Sequence, residues 1–187
     1  MAVMLRRYRF TVEEYERLAQ AQALTQCDRV ELLDGEIVEM TPIGDRHASV
    51  VARLTRLFAR HLGDRSLVWA QNPIVLHVVR SMPQPDVVLV RPRTDFYATG
   101  KPGPEDVLLL IEVMDTSAET DRTVKIPLYA RAGIRETWLL DLAADRVEVF
   151  RCPTAAGYRE AETLDRSGRL TPQAFPDLSL TVADLLG

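Results

Sequence analysis

Three side chains have the types and settings needed for metal-assisted hydrolysis of a phosphate ester. Asp86 opens the strand-like run Asp86 to Val90, directly after Pro85. Glu112 stands near the end of the next apolar run, Val107-Leu-Leu-Leu-Ile-Glu-Val113. A carboxylate inside such a run is costly to bury ionised unless it is paired or bound to a metal. Two of them on neighbouring strands would repel, and one would take up a proton. A hard cation such as Mg²⁺ or Mn²⁺, which favours oxygen ligands, removes the conflict. Lys125 lies in the helical segment that follows. Lysine and arginine together number 23, yet only Lys101 and Lys125 are lysines, so a retained lysine stands out. Plainer readings stay open. Each acid could be a strand-end cap or one half of a surface ion pair, and Lys125 could pair with Asp121 one turn earlier.

The elements that must position these groups can be read from periodicity. Thr11 followed by Glu14 is a capping-box pattern and predicts a helix from Val12 to about Ala23. Asp34-Gly35 between two β-rich runs predicts a hairpin over Arg29 to Met40. From about Asp45 to Leu62 one apolar stripe carries Val50, Val51, Leu54, Leu57, Phe58, His61 and Leu62, and Gly63 ends the helix. Strands are expected from Leu67 to Val79, interrupted near Asn72-Pro73, then at Asp86 to Val90 and at Val107 to Val113. A helix should follow from Ser117 to Ala132, with Pro127 kinking it or marking its start. Thr137 to Asp141 and Val147 to Arg151 read as a further hairpin. After Pro153 the strand signals are weak, and a short helix follows Thr181. The two most apolar runs look like central strands covered on both faces. The expected fold is therefore α/β (α+β), a mixed sheet flanked by helices with an N-terminal helix and hairpin.

Composition narrows the function classes. The chain has 187 residues, enough to bury a core without staples, and reads as one domain over 1–187. Within it, 10–44 is an N-terminal elaboration, 45–151 a core and 152–187 a C-terminal extension. No apolar run is long enough to span a bilayer, so no membrane partner is expected. The N-terminus has its charges after a very short apolar patch, the wrong order for a secretory signal. Cys27 and Cys152 are far apart and match no zinc spacing, which suggests free thiols in a reducing cytoplasm. The net charge of −4 means that any surface for nucleic acid must be a local patch. One candidate is Arg53, Arg56 and Arg60, spaced to share a helix face that could track phosphates, or that is simply solvated.

Taken together, Asp86, Glu112 and Lys125 resemble the PD-(D/E)XK nuclease pattern. At family level, four stretches look like the Uma-type bacterial family of restriction-endonuclease candidates, long labelled a domain of unknown function. They are Glu31-Leu-Leu-Asp-Gly-Glu36, Gln84-Pro-Asp86, Ile111-Glu112-Val113 and the run from Lys125 to Trp138. The resemblance runs in order from about Phe10 to Arg151. It implies a restriction-endonuclease-like core in which Asp86 and Glu112 hold Mg²⁺ (or Mn²⁺), with the Val113 carbonyl as an extra ligand. Lys125 would orient the attacking water and stabilise charge at the phosphate. One departure matters. The usual lysine position, two residues after Glu112, holds Met114, and the resemblance implies that the lysine has moved to Lys125.

Glu31 and His47 are candidates of second rank. Glu31 could add a third carboxylate near the metal or pair with an arginine. His47 opens the long helix and could equally cap or pack. Gln84 could contact nucleic acid. Tyr129 shares the Lys125 face of its helix and reads first as core. The leading function is a metal-dependent DNA endonuclease. The rivals are a catalytically silent nuclease-fold module that binds or assembles, and a hydrolase of another phosphate ester. Exposed sheet edges and double-strand cleavage both suggest a homo-oligomer, a dimer or higher.

Overall fold

Thr11 accepts a hydrogen bond from the Glu14 amide, and the Glu14 carboxylate accepts one from the Thr11 amide, which fixes the start of α1 (Val12–Gln20). The hairpin β1 (Val30–Leu33) and β2 (Glu36–Glu39) turns at Asp34 (φ 49°) and Gly35 (φ 78°). Two left-handed residues match the twist of the flanking strands. A Cβ on Gly35 would fall 2.7 Å from Arg9 Cβ, so the turn also needs the missing side chain. The predicted long helix forms as α2 (Asp45–Leu62). These elements belong to a computed structural model that describes residues 7–24, 29–115 and 121–187.

The main sheet has six strands in the order β3 (Leu67–Ala70), β4 (Val87–Val90), β5 (Val107–Met114), β6 (Glu136–Asp141), β7 (Arg146–Thr154) and β8 (Gly157–Leu164). All neighbours are antiparallel except β5 and β6. A parallel pair needs a crossover, and this one carries a π turn, Asp121–Lys125, leading into α3 (Ile126–Arg131). Pro127 sits in the first turn of α3, where its missing N–H costs no hydrogen bond. The beginning of the predicted helix at Ser117 lies outside the described residues, as does Cys27. A small ladder of β9 (Arg169–Leu170) with β10 (Leu180–Thr181) and the short α4 (Val182–Leu186) complete the chain.

Strand alternation sorts the core into two layers. Val87, Leu89, Leu109, Ile111, Val113, Trp138 and Leu140 pack against Val51, Leu54 and Phe58 of α2. Val88, Val90 and Leu110 pack on the other face against Leu128 and Tyr129 of α3. Leu54 and Phe58 have no exposed surface, and such side chains contribute about 1.5–3 kcal/mol each. Glu112 lies between Leu110 and Met114 in the alternation, so its side chain faces the α3 layer.

Two expectations change. The strand predicted over Leu67 to Val79 stops at Ala70, because Gln71 turns left-handed (φ 51°) and Pro73 has no N–H to donate. The stretch after Pro153 forms the full edge strand β8, whose largely exposed side chains gave no apolar alternation to read. A buried carboxylate ties the tail to the sheet. Glu136 accepts hydrogen bonds from Arg151, from Trp138 and from the Gln173 amide. No helix among the described residues is long and apolar enough to cross a membrane.

Candidate active site

The crossover explains why a helix residue can join two strand acids. Glu112 is near the carboxyl end of β5, and the chain re-enters helix above that same end, where open α/β sheets carry their sites. Lys125 closes the π turn there and is 6% exposed. Its Nζ lies 3.1 Å from Glu31 Oε1 and 3.5 Å from Glu112 Oε1. Glu31 (4% exposed) and Glu112 (2% exposed) are themselves buried. The remaining oxygens are also engaged. Gln84 N–H donates to Glu31 Oε2 at 3.1 Å, Asp86 N–H to Glu112 Oε2 at 3.3 Å, and the Tyr129 hydroxyl to Glu112 Oε1 at 2.5 Å.

Asp86 stands just ahead of β4, at the end of the sheet, where both faces can reach it. Its Oδ2 lies 3.0 Å from His47 Nε2 and accepts from Val113 N–H at 2.8 Å. The β4–β5 ladder ends at Val87 and Ile111, so the Val113 edge lies beyond it. In an extended strand the N–H and C=O of one residue point the same way. The Val113 carbonyl is therefore directed to the Asp86 side as well.

The five candidates Asp86, Glu112, Lys125, Glu31 and His47 all line one cleft, and Gln84 lines it too. With Glu39 and Arg29 also in its lining, the cleft holds four carboxylates against one lysine, one arginine and one histidine, a negative balance that suits a cation. Met114 is buried with Ile126 and Leu139, so the position two residues after Glu112 is closed by packing, and Lys125 approaches Glu112 instead. Burial, and after it the Glu31 charge, push the Tyr15 hydroxyl above its ordinary pKa.

The arginine row lies elsewhere. His47 falls on the α2 side that carries Val51, Leu54 and Phe58, and at 3.6 residues per turn Arg53, Arg56 and Arg60 fall opposite. They line a groove against Ala183 and Asp184 of α4, and none of them lines the cleft. Arg29 was not singled out from the sequence, whereas Tyr129 was, as core first and as a support for Lys125 second. Tyr129 reads as core, and it is fully buried, yet its hydroxyl holds Glu112. The i, i+4 spacing from Lys125 was the available signal. Arg29 lines the cleft from the end of the hairpin.

Comparison with known proteins gives a fold and a family. The chain resembles the crystal structure of "a putative nuclease belonging to DUF820 from Anabaena variabilis ATCC 29413". The two share 16% identity with a TM-score of 0.70, over 95% of this chain and 97% of that one. That likeness is one of fold. No curated protein matches. The family model described as "Uma2: Putative restriction endonuclease" matches residues 12–183, from the first residue of α1 into α4. On that match, the chain belongs to the Uma2 family.

Proposed function

We propose that the cleft is the active site of a divalent-metal-dependent endonuclease that hydrolyses DNA phosphodiester bonds in the cytoplasm. The observation that carries this reading is the single ammonium of Lys125 held between Glu31 and Glu112, beside Asp86 and the Val113 main chain. Among the described residues no three His, Cys, Asp or Glu side chains converge on a metal position. Asp86, Glu112 and the Val113 carbonyl would hold Mg²⁺ or Mn²⁺, with water and substrate phosphate completing the shell. A few carboxylates plus water and phosphate is the pattern that suits Mg²⁺. Both contacts to Asp86 fall on Oδ2.

When bound, the metal supplies phosphate polarisation and a more acidic water. The protein's own groups do the rest. Lys125 orients the attacking water and offsets charge developing on the phosphate. Glu31, held by Gln84 N–H, keeps Lys125 in place. His47 and Val113 N–H fix the Asp86 rotamer. The row of Arg53, Arg56 and Arg60 would meet a duplex outside the cleft, and Gln84 would meet it at the mouth. The sheet edges at β3 and β8 offer surfaces for a homodimer, whose two clefts would address both strands.

The test uses supercoiled plasmid with Mg²⁺ or Mn²⁺, beside Glu112→Ala and Lys125→Met. We expect metal-dependent nicking that both substitutions abolish. Folded wild-type protein that cuts with neither metal would replace this reading with a catalytically silent binding module. Nicking that survives both substitutions would remove these residues from the chemistry.

A further inference from the structure

The cleft has a second strong cation, on the wall that the hairpin builds. The Arg29 carbonyl accepts from Met40 N–H at 2.9 Å, one step beyond the last named hairpin pair, Val30 with Glu39. Its backbone is thereby held in line with β1. Alternate residues of an extended chain share a face. Val30 and Leu32 pack with Val12 and Tyr15, so Arg29 and Glu31 point the other way, and both line the cleft. Two residues of strand separate them by about 7 Å. Glu31 reaches inward to Lys125, and Arg29 stands one step outward from that pair.

The two cations differ in their surroundings. Lys125 is buried between two carboxylates, whereas Arg29 is half-exposed on the cleft wall. Among the described residues no hydrogen bond or ion pair to its guanidinium is found. A guanidinium presents a planar fork of donors that fits phosphate oxygens two at a time. An acidic floor that needs a metal to accept one phosphate, with an arginine one strand step away, matches a polyanion with regularly spaced charges.

We propose that Arg29 binds the non-bridging oxygens of a phosphate neighbouring the scissile one, on the strand being cut. This rests on the nuclease reading of the cleft and adds a direction to it: the strand leaves the acidic floor along β1. Arg29 is a substrate-binding residue in this role, separate from the outer row on α2.

The test is duplex DNA binding followed by fluorescence anisotropy, with Ca²⁺ in place of Mg²⁺ and KCl varied from about 50 to about 200 mM. One phosphate contact contributes about 0.9 to the slope of log K against log[salt]. Arg29→Gln should therefore flatten the slope by about 0.9, with its thermal midpoint unchanged. Arg29→Lys should keep the wild-type slope and bind more weakly, because the charge stays and the fork is lost. A wild-type slope in Arg29→Gln would overturn the assignment while leaving the nuclease reading intact. If wild-type protein shows no salt-dependent DNA binding, both fall together.

Discussion

Lys125→Met is the substitution that most directly probes the buried charges. At 3.1 and 3.5 Å from Glu31 and Glu112, the ammonium gains about 5 kcal/mol from each carboxylate at an effective dielectric near 20. Desolvation of all three groups offsets much of this gain. What counts is the state left behind, two buried carboxylates without the cation between them. Breaking a buried pair in this way costs about 3–5 kcal/mol. With a urea m-value of about 2 kcal/mol/M, the midpoint should fall by about 2 M at neutral pH. Trp138 is fully buried and reports the transition by fluorescence. Replacing Glu31 as well, in Glu31→Gln/Lys125→Met, removes one orphaned charge and should recover a large part of the loss. Mg²⁺ should raise the midpoint of Lys125→Met more than that of wild type, since the mutant cleft carries one more net negative charge. A Lys125→Met protein that unfolds at the wild-type urea concentration, with no gain from the second substitution, would refute the placement of the ammonium between the acids.

Tyr129→Phe removes only a hydroxyl that donates to Glu112 at 2.5 Å. Hydrogen bonds to charged groups are worth about 1.5–3 kcal/mol, so calorimetric Mn²⁺ titration should show altered affinity in a protein that retains its fold, and an unchanged isotherm would make Tyr129 core alone. Acid should weaken the fold through carboxyls held below their ordinary pKa: Asp95 by the Thr99 hydroxyl and then Arg93, Asp165 by Ser167, and Asp184 by the Thr181 hydroxyl. Depressed carboxyls stabilise the fold above their unfolded pKa and lose that contribution as pH falls through the folded value, so the urea midpoint should drop below about pH 4, and a midpoint flat from neutrality to about pH 3 would contradict these contacts.

Much of the candidate site was legible because several of its members stand out locally. Glu112 is a charge in an apolar strand, Lys125 is a lysine among arginines, and Asp86 and Glu31 sit where a strand and a hairpin expose one face inward. The long helix could be bounded from its stripe and Gly63 alone, and the hairpin from Asp34-Gly35. The remainder depended on tertiary placement. β8 hides in the sequence because an edge strand with mostly exposed side chains has little apolar pattern to show. The arginine row was visible as a row, but which surface it faces depends on where α2 packs. Arg29 differs from any other arginine only by the side of β1 on which it falls, and that side is set by how Val30 and Leu32 pack against α1.

The cleft draws on the hairpin, two sheet strands and the crossover helix, and β6, which follows that helix, is fixed through Glu136 to residue 173. Glu31 meets Lys125, and His47 meets Asp86, only across long stretches of chain, so no fragment short of residues 29–125 can assemble the cleft. A ribosome-bound chain that stops short of the crossover helix, or one clipped between the hairpin and the sheet, lacks the assembled cleft. Assembly of the cleft is thereby tied to the docking of the hairpin and the crossover helix onto the sheet.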